Sequence, residues 1–133
     1  MLAVEYGVPQ GAVLSPLLFL ILTIDLPDMV FKGADATRGV AQYADDSTLY
    51  AASKSWDKMD EALAKMATNL EHYSYENRLH LNSSKTQTLK LGHAQTSSSD
   101  TLNILGVTID KNISFKNHND IVLRDLKKRL GVI

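Results

Sequence analysis

Two aspartates stand side by side at positions 45 and 46, inside Tyr43-Ala44-Asp45-Asp46. Like charges held this close either raise the pKa of a carboxyl or call for a cation to neutralise them. With oxygen ligands and no His or Cys beside them, the cation that suits them is hard and divalent, magnesium or manganese rather than zinc. Taken alone, the pair is better described as a solvated acidic turn, because Asp is a favoured turn residue. A second candidate is Gly7-Val8-Pro9-Gln10-Gly11. Its two glycines and proline fix a rigid turn and let backbone come close to whatever lies above it. A helix start follows at once, a natural seat for phosphate or a sugar–phosphate strand. By itself this segment is also only a loop leading into a helix.

Elements must hold these residues in place. Within the apolar stretch Val13 to Leu26, Ser15-Pro16 reads as an N-cap followed by proline at the first helical position, and Pro27 as a stop, so one buried helix is expected from Pro16 to Leu26. Leu17, Leu18, Phe19, Leu20, Ile21, Leu22, Ile24 and Leu26 make it apolar all round, which requires cover on both faces. Val40–Tyr43 and Ser47–Ala51 read as the strands of a β-hairpin with the acidic pair at its tip. From Ser55, the apolar residues Trp56, Met59, Leu63, Met66, Leu70 and Tyr73 recur at three- and four-residue spacing, with Asp57, Asp60 and Glu61 in the first turn. That pattern is an amphipathic helix.

Further on, Asn77–Lys85 reads as a turn region and Thr86–Leu91 as a strand with Leu89 and Leu91 on one face. Leu102–Ile109 alternates as a last strand, with Gly106 marking a bulge or close backbone approach. Ile121, Val122, Leu126 and Leu130 line one side of a closing helix rich in Lys and Arg. No internal repeat is present. The order helix, hairpin, helix, strands, helix places the chain in the α+β class.

Composition bounds the function. A chain of 133 residues with 44% hydrophobic content can bury a core, which argues against disorder. Its formal charge of -1 supplies no long-range pull on a polyanion, so any nucleic-acid contact has to be local. The absence of cysteine excludes disulfides, and with them thiol redox chemistry. The composition suits a reducing, intracellular setting. The apolar run is shorter than the roughly 20 residues a membrane-spanning helix needs. The first ten residues hold Glu5 and no Lys or Arg, unlike a secretory signal.

The two chemical signals gain meaning together. Gly7-Val8-Pro9-Gln10-Gly11-Ala12-Val13-Leu14-Ser15-Pro16-Leu17-Leu18-Phe19 followed by Tyr43-Ala44-Asp45-Asp46 resembles the reverse transcriptases of non-LTR retrotransposons. Asn82-Ser83-Ser84-Lys85-Thr86 resembles that family's lysine motif, and Leu105-Gly106-Val107-Thr108-Ile109-Asp110 its primer-gripping hairpin. The resemblance covers nearly the whole chain in family order.

It implies a partial polymerase palm over residues 1–110, an antiparallel sheet with helices packed on one face and truncated at both ends. Residues 111–133 would start the connection or thumb region. Asp45 and Asp46 would hold the paired Mg2+ or Mn2+ ions of nucleotidyl transfer, and Lys85 would protonate or steady the leaving group. Pro9, Gln10, Gly11 and Tyr43 would line the nucleotide and template side, although Tyr43 reads equally well as a buried strand residue. Leu105 and Gly106 would contact the primer. Implied partners are an RNA template, a DNA primer and deoxynucleoside triphosphates, with self-association through exposed apolar surface as a further expectation.

The chain departs from the family at two places. Ala12 replaces a usual Ser, and only six residues precede Gly7, where the palm's first strand with another metal-binding aspartate is expected. Asp25 and Asp28, in a helix-terminal Asp-Leu-Pro context, are no substitute. The isolated chain is therefore expected to be inactive unless the missing region is supplied. The alternative is a non-catalytic relic that binds nucleic acid weakly through Arg124, Lys127, Lys128 and Arg129.

Overall fold

The computed structural model describes residues 11–34, 36–92 and 99–131. In it the apolar run is two helices rather than one: α1 (Ser15–Leu22) and α2 (Leu26–Phe31). Thr23–Asp25 turn the chain between them, so Pro27 opens a second helix instead of ending the first. Proline tolerates that position because a first-turn N–H has no intrahelical partner. Ser15 is likewise inside α1, whose N-cap position is Leu14 and carries no side-chain cap. The expectation of all-round cover also fails among the described residues. Leu17, Leu18, Leu20 and Ile21 are exposed, because an eight-residue helix rests only one side on its unit.

The chain divides into two compact units, Met1–Leu81 and Asn82–Ile133. In the first, β1 (Thr37–Tyr43) pairs antiparallel with β2 (Asp46–Ala52), with Val40 opposite Leu49 and Tyr43 opposite Asp46. The hairpin expected from the sequence is present and longer. α3 (Trp56–Glu76) is the expected amphipathic helix and supplies the core's largest wall. Leu26, Val30, Ala34, Ala62, Met66 and Tyr73 form the buried cluster, with Val40, Leu49 and Ala51 of the hairpin packed against it. Met66 is 0% exposed.

Two polar contacts close this packing. Asn69 on α3 donates from Nδ2 to the carbonyls of Val30 and Lys32, both at 3.0 Å, and so satisfies carbonyls that end α2. The Tyr73 hydroxyl lies 2.8 Å from the Leu22 carbonyl and 2.8 Å from Asp25 Oδ1, fastening α3 to the turn between α1 and α2. Burial first, then the Asp25 hydrogen bond and charge, push the phenol up to about 12, since ionisation there would place two negative groups together.

In the second unit, Thr86–Leu91 is irregular rather than a strand. Leu102–Ile109 is not one strand but two, β3 (Thr101–Ile104) and β4 (Val107–Asp110), paired antiparallel. Leu105 and Gly106 form the two-residue turn with φ of 49° and 84°, the positive values at both central positions that suit a hairpin. Gly106 therefore marks a reversal and not a bulge. α4 (Lys116–Leu130) packs on β4 and ends at Gly131, with φ 68°, after Lys127, Lys128 and Arg129.

Asp110 fastens the link from β4 to α4. Its carboxylate accepts the Ser114 hydroxyl at 2.8 Å and the backbone N–H groups of Asn112 at 3.0 Å and Ser114 at 3.2 Å. The Ser114 hydroxyl bond, with these backbone bonds behind it, holds the carboxyl below its ordinary range.

Candidate metal and nucleotide site

The acidic pair sits where two strands reverse. Ala44 and Asp45 are the turn, and Asp46 begins β2 opposite Tyr43. Ala44 has φ 50°, a left-handed conformation that costs an L-residue about 1–2 kcal/mol. Such strain persists where flanking pairs over-determine it. Here seven cross-strand pairs, from Thr37 with Ala52 to Tyr43 with Asp46, impose the reversal.

Period-two alternation then sorts the hairpin into faces. Val40, Leu49 and Ala51 lie against the core, which places Tyr43 and Asp46, Ala41 and Thr48, and Gly39 and Tyr50 on the other face. Tyr43 is 68% exposed. Its reading as a buried strand residue is thereby overturned. At the far end of this face the Tyr50 ring lies over Gly39, in the space a Cβ would need.

Asp45 and Asp46 are both exposed, so water or an ion reaches each. Their donor set fits a hard divalent cation, which takes carboxylate oxygens and fills its remaining positions with water or phosphate. No group of three or more His, Cys, Asp or Glu suited to a metal occurs among the described residues. Within the described residues the two carboxylates therefore stand as a pair and not as part of a larger acidic cluster.

The other expected residues fall as follows. Pro9 and Gln10 lie outside the described residues. Gly11 is described, exposed, and has φ 83° with nothing near the position of a Cβ, as a glycine turn requires. Tyr43, Asp45 and Asp46 are brought together in one hairpin within the first unit. Lys85, Leu105 and Gly106 belong to the second unit. Lys85 is exposed in a turn, its N–H donating to the Asn82 carbonyl at 3.1 Å. Leu105 and Gly106 are the exposed hairpin turn. Arg124, Lys127, Lys128 and Arg129 are exposed on α4.

Polar contacts tie the hairpin and α3 to the turn between α1 and α2. Asp25 accepts the Tyr73 hydroxyl at 2.8 Å. Gln42, next to the acidic turn, donates from Nε2 to Thr23 Oγ1 at 3.0 Å, and Thr23 Oγ1 donates to the Phe19 carbonyl at 3.0 Å. The sequence offered one hint of this contact: a lone Thr interrupting an otherwise apolar run.

The family model for reverse transcriptase (RNA-dependent DNA polymerase) matches residues 2–109. A probable RNA-directed DNA polymerase from transposon BS of Drosophila melanogaster is 31% identical over 140 residues, covering 93% of this chain and 16% of that protein. The RNA-directed DNA polymerase from mobile element jockey of Drosophila funebris is 25% identical over 141 residues, covering 96% of this chain and 15% of its own length. The chain thus spans a small part of either relative. No solved structure matches it. An exposed two-aspartate hairpin, set in a chain that the family model covers from residue 2 to residue 109, belongs to the reverse transcriptase family in its non-LTR retrotransposon branch.

Proposed function

We propose that the chain is part of an RNA-directed DNA polymerase, with residues 1–110 contributing a portion of the palm and 111–133 the start of the region that follows it. The observation that carries this reading is the exposed Asp45–Asp46 tip beside the exposed Tyr43, within the family match. The substrates of this reading are an RNA template, a DNA primer and deoxynucleoside triphosphates.

Asp45 and Asp46 are the residues that would hold Mg2+ or Mn2+, and such ions supply Lewis acidity at phosphate oxygens when bound. In the transfer itself, the primer 3′-oxygen bonds to the α-phosphorus as the bridging α–β P–O bond breaks. The hydroxyl proton goes to water, and pyrophosphate leaves. By the family resemblance Lys85 would steady the departing pyrophosphate, and Tyr43 offers a ring face for a base or sugar. Gly11 is the residue of the glycine turn that would line the template or nucleotide side. Leu105 and Gly106 present a backbone turn suited to a primer strand. No helix among the described residues is long and apolar enough to cross a membrane, and the exposed apolar face of α1 is a surface for self-association or for further polymerase sequence.

Among the described residues Asp45 and Asp46 have no third acidic neighbour, and a partial coordination sphere holds metal weakly and misplaces it, so little activity is expected from these residues alone. Primer extension on an RNA template tests the assignment. The expected result is no synthesis by the chain alone and synthesis once the upstream part of a relative is joined to it. Asp45→Asn or Asp46→Asn then abolishes extension. Synthesis that survives both substitutions refutes the assignment. No synthesis in any combination, with RNA still bound, selects the non-catalytic relic.

A further inference from the structure

We propose that Gln42 and Thr23 are positioning residues for the acidic turn, an inference that rests on reading Asp45 and Asp46 as the metal-holding pair. Gln42 immediately precedes Tyr43, and its amide Nε2 donates to Thr23 Oγ1 at 3.0 Å. Beyond it, Tyr43, Ala44, Asp45, Asp46 and Ser47 are all exposed. This hydrogen bond is therefore the side-chain contact nearest the turn on the core face of the hairpin.

Its direction is fixed. The Thr23 hydroxyl spends its one proton on the Phe19 carbonyl at 3.0 Å, so towards Gln42 it can only accept. Thr23 is 2% exposed, so water does not readily replace a lost partner. The anchor is itself held: the Thr23 N–H donates to Phe19 at 3.0 Å and its carbonyl accepts the Leu26 N–H at 3.2 Å.

The two ends of the bond explain what it does. One end is the corner between α1 and α2, and α1 is the helix that follows the Gly11 turn. The other is the strand that ends in the carboxylates. A two-stranded ribbon has little rigidity by itself. Metal-holding groups have to stay within about 0.5 Å of their working positions. The tether stops the ribbon pivoting on its hydrophobic base at Val40 and Leu49 and keeps the carboxylate turn in register with the helix that carries the glycine turn.

The test compares Thr23→Val, Gln42→Leu, the double variant and Thr23→Ser. Hydrogen exchange of the Tyr43 and Asp46 amides, the pair that closes the turn, is read by NMR on the chain. Removing either partner is expected to speed exchange at these amides about tenfold. The double variant gains little more, since both changes remove one bond. Thr23→Ser, which keeps the hydroxyl, restores the wild-type rate. Leu70→Ala, which lowers stability through the core, leaves the turn's exchange relative to the rest of α3 and the hairpin unchanged.

In the chain joined to its upstream part, kcat for nucleotide addition falls about 10- to 100-fold while the nucleotide KM stays within about twofold. Unchanged exchange at the turn, or additive effects in the double variant, overturns the proposal. If Asp45→Asn and Asp46→Asn leave synthesis intact, the metal assignment fails, and the exchange measurements still decide whether the tether exists.

Discussion

Replacing Tyr73 with Phe removes one oxygen and leaves the ring. The buried ring stays packed against the core cluster, so no cavity opens and the change isolates the hydroxyl. That hydroxyl has one proton and two acceptors at 2.8 Å, the Leu22 carbonyl and Asp25 Oδ1. A hydrogen bond to a charged acceptor contributes about 1.5–3 kcal/mol, and to a neutral one about 0.5–1.5 kcal/mol. Asp25 is exposed and regains water when the hydroxyl goes, which places the expected loss near the lower end, about 1.5–2 kcal/mol. In a unit of this size each kcal/mol lowers Tm by about 4–8 °C.

The pH dependence supplies a second reading of the same bond. Tyr73 titrates near 12 in the fold against an ordinary 10.0, so its contribution is complete below pH 10 and is lost as pH rises towards 12. Urea unfolding of wild type and Tyr73→Phe, followed by α-helical circular dichroism at neutral pH and between pH 10 and 12, measures both effects. The gap between the two proteins is expected to be fullest at neutral pH and to close through the alkaline range by roughly 1.4 kcal/mol per pH unit until it vanishes. A variant as stable as wild type at neutral pH, or a gap that does not narrow above pH 10, refutes the argument that this hydroxyl fastens α3 to the α1–α2 corner.

Met66→Ala, at a fully buried position on α3, is expected to cost about 2–5 kcal/mol in urea unfolding; a loss below 1 kcal/mol would mean the site collapses around the smaller side chain. Gly39→Ala puts a methyl where the Tyr50 ring lies, so the ring swings outward, and the ring-current shift on the residue 39 Hα disappears with a stability cost of about 1 kcal/mol. Asp110 has its carboxyl held low by Ser114 and the neighbouring amides, so its contribution is present above the ordinary carboxylate range and is lost as pH falls through and below it. Protection of the Asn112 and Ser114 amides, measured relative to their intrinsic exchange rate at each pH, is expected to fall on acidification, and Asp110→Ala to show that loss of protection already at neutral pH.

Much of the site's chemistry is written locally. Asp45 and Asp46 between two β-rich runs specify an acidic hairpin tip, because strand propensity and turn preference act over a few residues. The three- and four-residue spacing from Trp56 to Tyr73 specifies α3 for the same reason. Tertiary structure decided how the apolar run was divided. Its hydrophobicity is uniform from Leu17 to Leu22, and the polar Thr23 and Asp25 do not by themselves say that the chain turns there; Tyr73 and Gln42 hold that corner from 19 to 51 residues away. It also decided that Leu102–Ile109 folds back on itself. Alternation is blind to a two-residue reversal, and only the pairing of Ile104 with Val107 reveals one. Residue types thus name the groups able to do chemistry, while contacts between distant positions fix where those groups stand, because a hydrogen bond or a buried face depends on proximity in space and not in sequence.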